Sequence, residues 1–249
     1  MRPKVFPTRT IGILGGMGPR ATVQFEQLLL QYLSGTDQQL PAILTVNDGS
    51  IPDRSRYLLG RGSDPVPQMQ RNLDILQQAG ARLIALPCNT ACAPAIFNRL
   101  RPAPDVQLVN LPEEVGKALR TEGYTSVYIL ATEGTIRAGI YQNVCSQARV
   151  SYAAPDIATQ RLVNKVITAV KAGNMPMARM YAVQVAAAVR RAGSQAVLLG
   201  CTELPLVSAF LAPRQATAID TLAVLARAVS RYTTKQSKGE QYDPRPVYA

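Results

Sequence analysis

The chain has 249 residues, of which 47% are hydrophobic and 17% are charged, so it has the composition of a folded protein with a real core. A chain of this length forms one large α/β unit or two lobes of about 100–130 residues. The net charge of +11 comes from scattered basic residues without interleaved aromatic residues, so we expect no nucleic-acid partner.

The absence of histidine narrows the possible chemistry. It excludes Ser-His-Asp and Cys-His nucleophile pairs as well as histidine metal sites. The four cysteines show neither a disulfide framework nor paired Cys-x-x-Cys spacing, so we expect no structural zinc or other metal. Any reaction would therefore depend on thiols, carboxylates, lysine, tyrosine or hydroxyl groups.

The sequence also lacks the signals of membrane insertion and secretion. No apolar run approaches the roughly 18–20 residues that a membrane span needs. The N-terminus contains basic residues but no apolar core of a secretory signal. We therefore expect a cytoplasmic protein without a membrane partner.

The first predicted elements are a strand, a glycine-rich loop and a helix. Thr10–Leu14 is a short apolar run that ends in Gly-Gly-Met-Gly-Pro at residues 15–19. Pro19 suits the first position of a helix, and the N-terminus of a helix after a glycine loop can bind an anion. The loop lacks the dinucleotide-binding and Walker spacings, and a plain tight turn explains its glycines equally well.

A second strand, Ala42–Val46, is followed by a long polar stretch, Asn47–Pro67. Loops of this length are usually functional or mobile. The stretch contains Arg54, whose forked guanidinium could clamp a carboxylate over a cleft. From the residues alone, a solvated surface arginine is the favoured interpretation.

The best motif of the first half follows its third predicted strand. A helix over Gln68–Ala79 leads to the strand Leu83–Leu86, then to Pro-Cys-Asn-Thr and a helix over Ala91–Leu100. This order places Cys88, Asn89 and Thr90 at the carboxyl end of a strand, where open parallel sheets bind ligands. A fourth strand, Gln107–Asn110, precedes a lobe boundary near Leu111.

The second half repeats the pattern. The strand Ser126–Leu130 runs into a loop, Ala-Thr-Glu-Gly-Thr at residues 131–135, and the strand Gln195–Leu199 runs into Cys201. The spacing between the two cysteines nearly equals the spacing between the two loops, which indicates an internal duplication. The remaining predicted elements are helices over Ile157–Val170 and Met177–Val189, a strand over Thr217–Ile219, a helix to about Tyr232, and a polar tail from Thr233 that frays. We assign residues 1–111 with 218–249 to lobe one and residues 112–217 to lobe two.

The two strand-end cysteines indicate a particular kind of reaction. Cys88 and Cys201 are both predicted at helix N-termini, which lower the pKa of a thiol. Cys92 and Cys145 lie within helix-like runs, where cysteine is usually a small hydrophobic residue. Two thiols at equivalent places in two lobes suit a reaction in which one removes a proton from carbon and the other returns one. A racemase or epimerase has that symmetry.

Several motifs in this sequence resemble those of the cofactor-independent aspartate/glutamate racemase superfamily, with the closest similarity to its aspartate racemase branch. They are Gly15-Gly16-Met17-Gly18-Pro19, Ile51-Pro52-Asp53-Arg54, Pro87-Cys88-Asn89-Thr90-Ala91, Ala131-Thr132-Glu133-Gly134-Thr135, Lys171-Ala172-Gly173 and Gly200-Cys201-Thr202-Glu203-Leu204-Pro205. The resemblance covers Ile11 to about Ala226. The two cysteine motifs together carry it, and the others support their order and spacing.

The resemblance implies an α/β fold of two pseudo-symmetric, flavodoxin-like lobes with parallel-rich sheets and an interlobe active site. It implies that Cys88 and Cys201 are the catalytic pair, that Arg54 and Lys171 hold substrate carboxylates, and that the glycine loops donate backbone N–H groups to the α-carboxylate. The residues that would line the substrate are Met17, Asn89, Thr90, Thr132, Thr135 and Thr202. The implied reaction is racemisation of a small acidic amino acid, aspartate first and glutamate second, without pyridoxal phosphate or another cofactor, in a homodimer.

One position departs from the family pattern, which often has histidine where this chain has Cys92. The change should leave a two-thiol mechanism intact while altering rate, pH optimum or substrate range. Two alternatives stay open: a related racemase or isomerase with another substrate, and an amino-acid-binding relative without turnover.

Overall fold

The computed structural model describes residues 10–212 and 216–237 and contains two parallel sheets. The first has the strand order β2-β1-β3-β4 and the second has the order β6-β5-β7-β8. The strands are β1 (Ile11–Leu14), β2 (Ile43–Val46), β3 (Leu83–Ala85), β4 (Gln107–Val109), β5 (Ser126–Ala131), β6 (Ser151–Ala153), β7 (Ala196–Gly200) and β8 (Thr217–Asp220). Both sheets therefore use the flavodoxin-like order, with the second strand outside the first, and the predicted fold of two pseudo-symmetric lobes is confirmed.

Helices connect and cover the strands, as parallel pairing requires. They are α1 (Pro19–Tyr32), α2 (Arg54–Leu58), α3 (Val66–Gln78), α4 (Pro94–Phe97), α5 (Leu111–Thr121), α6 (Glu133–Arg137), α7 (Ile140–Ala148), α8 (Ile157–Lys171), α9 (Met175–Ala192), α10 (Ser208–Leu211) and α11 (Thr221–Ser237). The part of the chain that the structure describes also has three short 3₁₀ turns, at Asp37–Gln39, Thr90–Cys92 and Leu204–Val207. Among the described residues, no helix is both long and apolar enough to cross a membrane.

Strand β5, one of the two inner strands of the second sheet, lies between two different hydrophobic cores. Val127 and Ile129 belong to a large core that also contains Ile13 and Leu83 of the first sheet, whereas Leu130 belongs to a smaller core formed with α8 and α9. This alternation follows from the two-residue period of a β-strand. Helix α11 leaves β8 and packs against α1, from the first half of the chain, and against α5.

The structure corrects several predicted elements. The single helix predicted over Ala91–Leu100 is wrong, because Pro94 has no N–H to continue the preceding 3₁₀ turn and instead begins the short helix α4. The stretch Asn47–Pro67 contains α2, which Asp53 caps by accepting a hydrogen bond from the Arg56 N–H at 2.8 Å. Similarly, the predicted loop at 131–135 includes the start of α6, where Thr132 is the cap.

Two elements in the second half of the chain also differ from expectation. Strand β6 was not predicted, since Ser151–Ala153 has no apolar run and is mostly exposed at the sheet edge. Helix α11 continues to Ser237, beyond the predicted end near Tyr232. The remainder of the predicted polar tail, residues 238–249, lies outside the described residues.

Candidate active site between the lobes

The predicted site residues converge on one cavity at the carboxyl ends of β3 and β7. The cavity has a volume of about 30 Å³, measured as the space open to the centre of a water-sized sphere. Its lining residues are Met17, Asp53, Arg54, Ser55, Cys88, Asn89, Thr90, Thr132, Lys171, Cys201, Thr202 and Glu203. Of the residues predicted for the site, only Thr135 is absent from this lining. Its hydroxyl is hydrogen-bonded to those of Thr90 and Thr132, which do line the cavity.

Cys88 and Cys201 occupy equivalent positions in the two lobes. Each follows the third strand of its sheet, each is buried, and both line the cavity. The helices predicted after them are 3₁₀ turns at Thr90–Cys92 and Leu204–Val207, which provide little aligned dipole. The expected lowering of the pKa is wrong for Cys201: burial, and then the negative charge of Glu203, raise the pKa of its thiol well above the usual value.

Glu203 connects three groups at the second cysteine. Its Oε2 accepts a hydrogen bond from the Cys201 thiol at 3.0 Å and one from the Thr202 hydroxyl at 3.1 Å. Its Oε1 lies 3.9 Å from Nζ of Lys171. Burial alone would lower the pKa of Lys171, but the negative charge of Glu203 raises it overall, so the ammonium stays charged.

Glu203 was not predicted as a site residue, although it stands in the Gly-Cys-Thr-Glu motif. The available signal was the proximity in sequence of a carboxylate to a strand-end thiol. Asp53 and Ser55, which also line the cavity, flank Arg54 in the chain. They too could have been found by examining the neighbours of a predicted site residue.

Asn89 is held by a side chain from the other lobe. The hydroxyl of Tyr141, in α7, donates a hydrogen bond to Oδ1 of Asn89, and both residues are buried. Nδ2 of Asn89 is buried and has no hydrogen-bond partner. A buried amide donor without a partner is costly, so this donor on the cavity is suited to an acceptor supplied by a ligand. No sequence signal identified Tyr141.

Three threonines join the lobes beside the thiols. Thr90 lies in the first lobe, and its Oγ1 is 3.1 Å from Oγ1 of Thr132 and 2.9 Å from Oγ1 of Thr135 in the second. The latter two hydroxyls are 3.0 Å apart. Thr135 is fully buried and therefore acts on the cavity through the other two hydroxyls.

Arg54 is buried, so the favoured interpretation of a solvated surface arginine is wrong. Its guanidinium donates to the carbonyl oxygens of Met17 at 2.8 Å, Ile51 at 3.1 Å and Pro52 at 2.9 Å. Its Nε is buried and has no hydrogen-bond partner. Arg54 thus connects the loop at Met17 to the loop at Ile51–Pro52, and it also lines the cavity.

The glycine loops use several of their backbone donors within the protein. The N–H of Gly15 donates to the Val46 carbonyl and that of Gly16 to Thr22 Oγ1, both at 2.9 Å. The N–H of Gly134 donates to Ser55 Oγ at 3.0 Å. The expectation that these loops offer N–H groups to a carboxylate is therefore wrong for these three residues. Position 16 requires glycine for a steric reason, because a Cβ there would lie 2.1 Å from the Asp48 carbonyl oxygen.

The two other cysteines are buried, in agreement with the prediction that they are small hydrophobic residues. Burial raises the pKa of Cys145 to about 12 and also raises the pKa of Cys92. The Cys92 thiol donates to the Cys88 carbonyl oxygen at 3.4 Å. In the described part of the chain, no group of three or more cysteine, aspartate or glutamate side chains is placed to hold a metal ion.

Comparison with known proteins places these features in a family. The profile of the Asp/Glu/hydantoin racemase family matches residues 14–229. The structure is similar to that of Picrophilus torridus aspartate racemase, with a TM-score of 0.80 and 27% identity, over 94% of this chain and 99% of that one.

Two curated relatives are similar in sequence. The broad specificity amino-acid racemase RacX of Bacillus subtilis is 28% identical over 91% of this chain and 100% of its own length. A glutamate racemase of Pseudomonas aeruginosa is 28% identical over 69% of this chain and 66% of its own length, so the match leaves about a third of that relative uncovered. The family profile, which spans most of the chain and both cysteine motifs, shows that the protein belongs to the Asp/Glu/hydantoin racemase family of isomerases.

Proposed function

We propose that this protein is a cofactor-independent racemase that interconverts the L and D forms of an acidic amino acid, with aspartate the first candidate and glutamate the second. The observation that carries the proposal is the placement of Cys88 and Cys201, from equivalent strands of two lobes, on one buried cavity. A reaction that removes a proton from one face of a carbon and returns one to the other needs two such groups.

The proposed reaction exchanges one proton. A thiolate on one cysteine takes the α-proton, and the electron pair left on the α-carbon delocalises into the neighbouring carboxylate. The thiol of the other cysteine then donates its proton to the opposite face of the α-carbon. The product is the other enantiomer, and the two cysteines have exchanged protonation states.

The hydrogen bond to Glu203 favours Cys201 as the protonated member of the pair. A thiol that donates to a carboxylate at 3.0 Å carries its proton, and burial and the Glu203 charge raise the pKa of Cys201. In this direction of the proposed reaction, Cys201 is the acid and Cys88 is the base. The reverse reaction starts from the exchanged state, in which Cys201 takes the α-proton and Cys88 donates its proton to the opposite face.

The polar residues of the cavity supply carboxylate binding. Nδ2 of Asn89 is a free donor, and the charged ammonium of Lys171 and the Nε of Arg54 provide further donors. Met17, Thr90, Thr132 and Thr202 would line the substrate, and Thr135 would hold the hydroxyls of Thr90 and Thr132 in place.

The descriptions of the relatives support amino-acid racemisation, and one of them also suggests a second range of substrates. One is described as an aspartate racemase, one as a glutamate racemase and one as a broad specificity amino-acid racemase. The last description favours a related racemase with substrates beyond acidic amino acids as the runner-up. A homodimer in the cytoplasm stays a prediction, and light scattering of the purified protein would measure its oligomeric state.

Proton NMR of L-aspartate and L-glutamate in D₂O with the reduced protein tests the proposal, followed by chiral chromatography of the products. Loss of the α-proton signal together with appearance of the D isomer is the expected result. Cys88→Ala and Cys201→Ala should each abolish racemisation, whereas Cys145→Ala, which removes an equally buried thiol outside the cavity, should retain it. Full activity in either of the first two variants would refute the two-thiol mechanism, and saturable binding without exchange would indicate a non-catalytic relative.

A further inference from the structure

The second lobe has a strongly cationic outer surface. Helices α8 and α9 pack side by side, and both bury one side in the smaller hydrophobic core against the second sheet. Their opposite sides therefore point the same way, toward solvent. Residues 157–202, which include both helices, contain six lysine and arginine residues and no aspartate or glutamate. We call the outer surface of the two helices the α8–α9 face, and it is formed by Ile157, Arg161, Lys165, Met180, Val183 and Arg190.

Helical spacing brings these six side chains to the outside. Residues that are three, four or seven positions apart share one side of a helix. Ile157, Arg161 and Lys165 are spaced four residues apart along α8, and all three are exposed. The three residues of α9 recur after three and seven positions and are exposed as well. The α8–α9 face is therefore one continuous surface of two neighbouring helices.

The positive charges of the α8–α9 face have no carboxylate partner. In the part of the chain that the structure describes, no side-chain nitrogen of Arg161, Lys165 or Arg190 lies within 4.0 Å of a carboxylate oxygen. The carboxylate of Asp156, at the N-terminus of α8, interacts instead with the charge of Arg191. The three charges are therefore available to an anionic partner.

Apolar side chains stand among these charges. Ile157 has 77% of its surface exposed, Val183 has 55% and Met180 has 46%. Next to them on α9, the Arg179 guanidinium lies 5.6 Å from the centre of the exposed Phe210 ring. Apolar surface is stabilised when it is removed from water. The α8–α9 face therefore suits a partner that offers negative charge and an apolar environment at the same place.

The surface of an anionic membrane offers both. Its negatively charged headgroups lie directly above an apolar region, so cationic and apolar side chains are both accommodated in one plane. Nucleic-acid phosphates would attract the cations but would leave the apolar side chains in water. A second copy of the chain would place arginine against arginine around a twofold axis. An acidic protein would need a compact apolar anchor site, whereas these apolar side chains are spread over two helices.

We propose that the α8–α9 face binds the surface of a membrane that contains anionic phospholipid. The prediction of no membrane partner was drawn from the lack of an apolar span, and a contact at the membrane surface needs no span. None of the six residues of the face lines the candidate active-site cavity. The inference therefore goes beyond the proposed racemase function and does not depend on it.

Co-sedimentation of the protein with lipid vesicles tests the proposal. One set of vesicles is phosphatidylcholine alone, and the other contains about a third phosphatidylglycerol. We expect the protein to sediment only with the second set, and to do so less at high salt because salt screens the contact. Arg161→Gln and Arg190→Gln should each lower the partition coefficient by about fivefold, the effect of one charge near an anionic surface.

Variants of apolar residues distinguish a lipid surface from other anionic partners. Val183→Gln should also lower the partition coefficient, by about fivefold, because the side chain loses its apolar contact with lipid. Arg71→Gln and Ile75→Gln are the matched controls, since they remove an exposed arginine and an exposed apolar side chain from α3 of the first lobe. Both should sediment like the parent, and circular dichroism would verify that all variants are folded.

Four outcomes would overturn the proposal. They are sedimentation with neither set of vesicles, equal sedimentation with both sets, and equal losses in Arg71→Gln and Arg190→Gln, which would assign binding to the net charge of +11. The fourth is a loss in the arginine variants without one in Val183→Gln, which would indicate a polyanion such as nucleic acid. Exchange of the α-proton of L-aspartate is measured separately, so failure to bind vesicles leaves the racemase proposal standing.

Discussion

The Tyr141 hydroxyl, from the second lobe, donates a hydrogen bond to Oδ1 of Asn89, from the first lobe. This bond fixes the orientation of the Asn89 amide, because only Oδ1 can accept from the hydroxyl. The donor end of the amide, Nδ2, therefore points away from Tyr141 and has no partner. Asn89 lines the cavity, so under the proposed racemase function Tyr141 is a positioning residue that prepares a donor for an acceptor on the substrate. The contact also means that the binding group is complete only when the two lobes are together.

We expect Tyr141→Phe to raise KM for the substrate by about tenfold, the size of one lost hydrogen bond in a buried site. The reason is that Asn89 would be free to rotate its amide. Steady-state kinetics on both enantiomers would measure the effect. Tyr128→Phe is the matched control, since Tyr128 is also buried but does not line the cavity. An unchanged KM in Tyr141→Phe would show that Asn89 is held by other contacts.

We expect Glu203→Gln to lower the pKa of the Cys201 thiol. Burial and the negative charge of Glu203 both raise it, and the substitution removes the charge while burial stays. Because the thiolate forms as the pH rises through the pKa, alkylation of Cys201 by iodoacetamide should begin at a lower pH in the variant. The measurement uses a Cys88→Ser background and identifies the modified peptide by mass spectrometry.

Glu122→Gln provides the control for this experiment, because Glu122 pairs with Arg227 on the surface at 3.1 Å and does not line the cavity. Its alkylation profile should match that of the parent. A Glu203→Gln profile that coincides with the parent, or moves to higher pH, would contradict the assigned influence of Glu203.

We expect Arg54→Lys to lower the free energy of unfolding by about 2–3 kcal/mol, because a lysine ammonium cannot reproduce the fork that bonds to the carbonyl oxygens of Met17, Ile51 and Pro52. Urea denaturation would measure this loss. Arg56→Lys, at an exposed position of the same short helix, should change stability by less than about 0.5 kcal/mol. A stable Arg54→Lys protein with a raised KM would instead make substrate binding the main role of Arg54.

We expect Gly134→Ala to reduce activity by more than tenfold by holding the lobes apart. A Cβ at this position would lie 2.6 Å from Oγ and 2.7 Å from Cα of Ser55, so a rotamer change of Ser55 cannot relieve the clash. Ser55→Ala separates this effect from loss of the hydrogen bond between Ser55 Oγ and the Gly134 N–H, and it should cost much less activity. Equal losses in the two variants would assign the effect to the hydrogen bond.

The sequence predicted the strands that carry the site, because their apolar runs are buried on both faces and are therefore continuous. Leu83–Ala85 and Ala196–Gly200 are fully buried strands, and the cysteines that end them were found by the same signal. The edge strand Ser151–Ala153 has no such run. Its position depends on pairing with β5, which a local pattern does not record.

The helix N-termini and the partners of the site residues were harder to predict. Pro94 breaks the chain into two short turns after Cys88, and helical spacing of apolar residues does not reveal such a break. Tyr141 and Asn89 are distant in the chain, and their contact depends on how the lobes are packed. The burial of Arg54 likewise depends on the carbonyl groups of the Met17 loop, which no pattern near Arg54 indicates.

The side chains of β5 alternate between two hydrophobic cores, and this arrangement couples the unfolding of the two lobes. Because Val127 and Ile129 share one continuous core with Ile13 and Leu83, the first lobe cannot lose its structure without exposing one face of the second sheet. The two halves, although built on the same strand order, are therefore expected to melt in a single cooperative transition rather than as independent domains. The internal duplication of the sequence therefore does not make either lobe stable without the other.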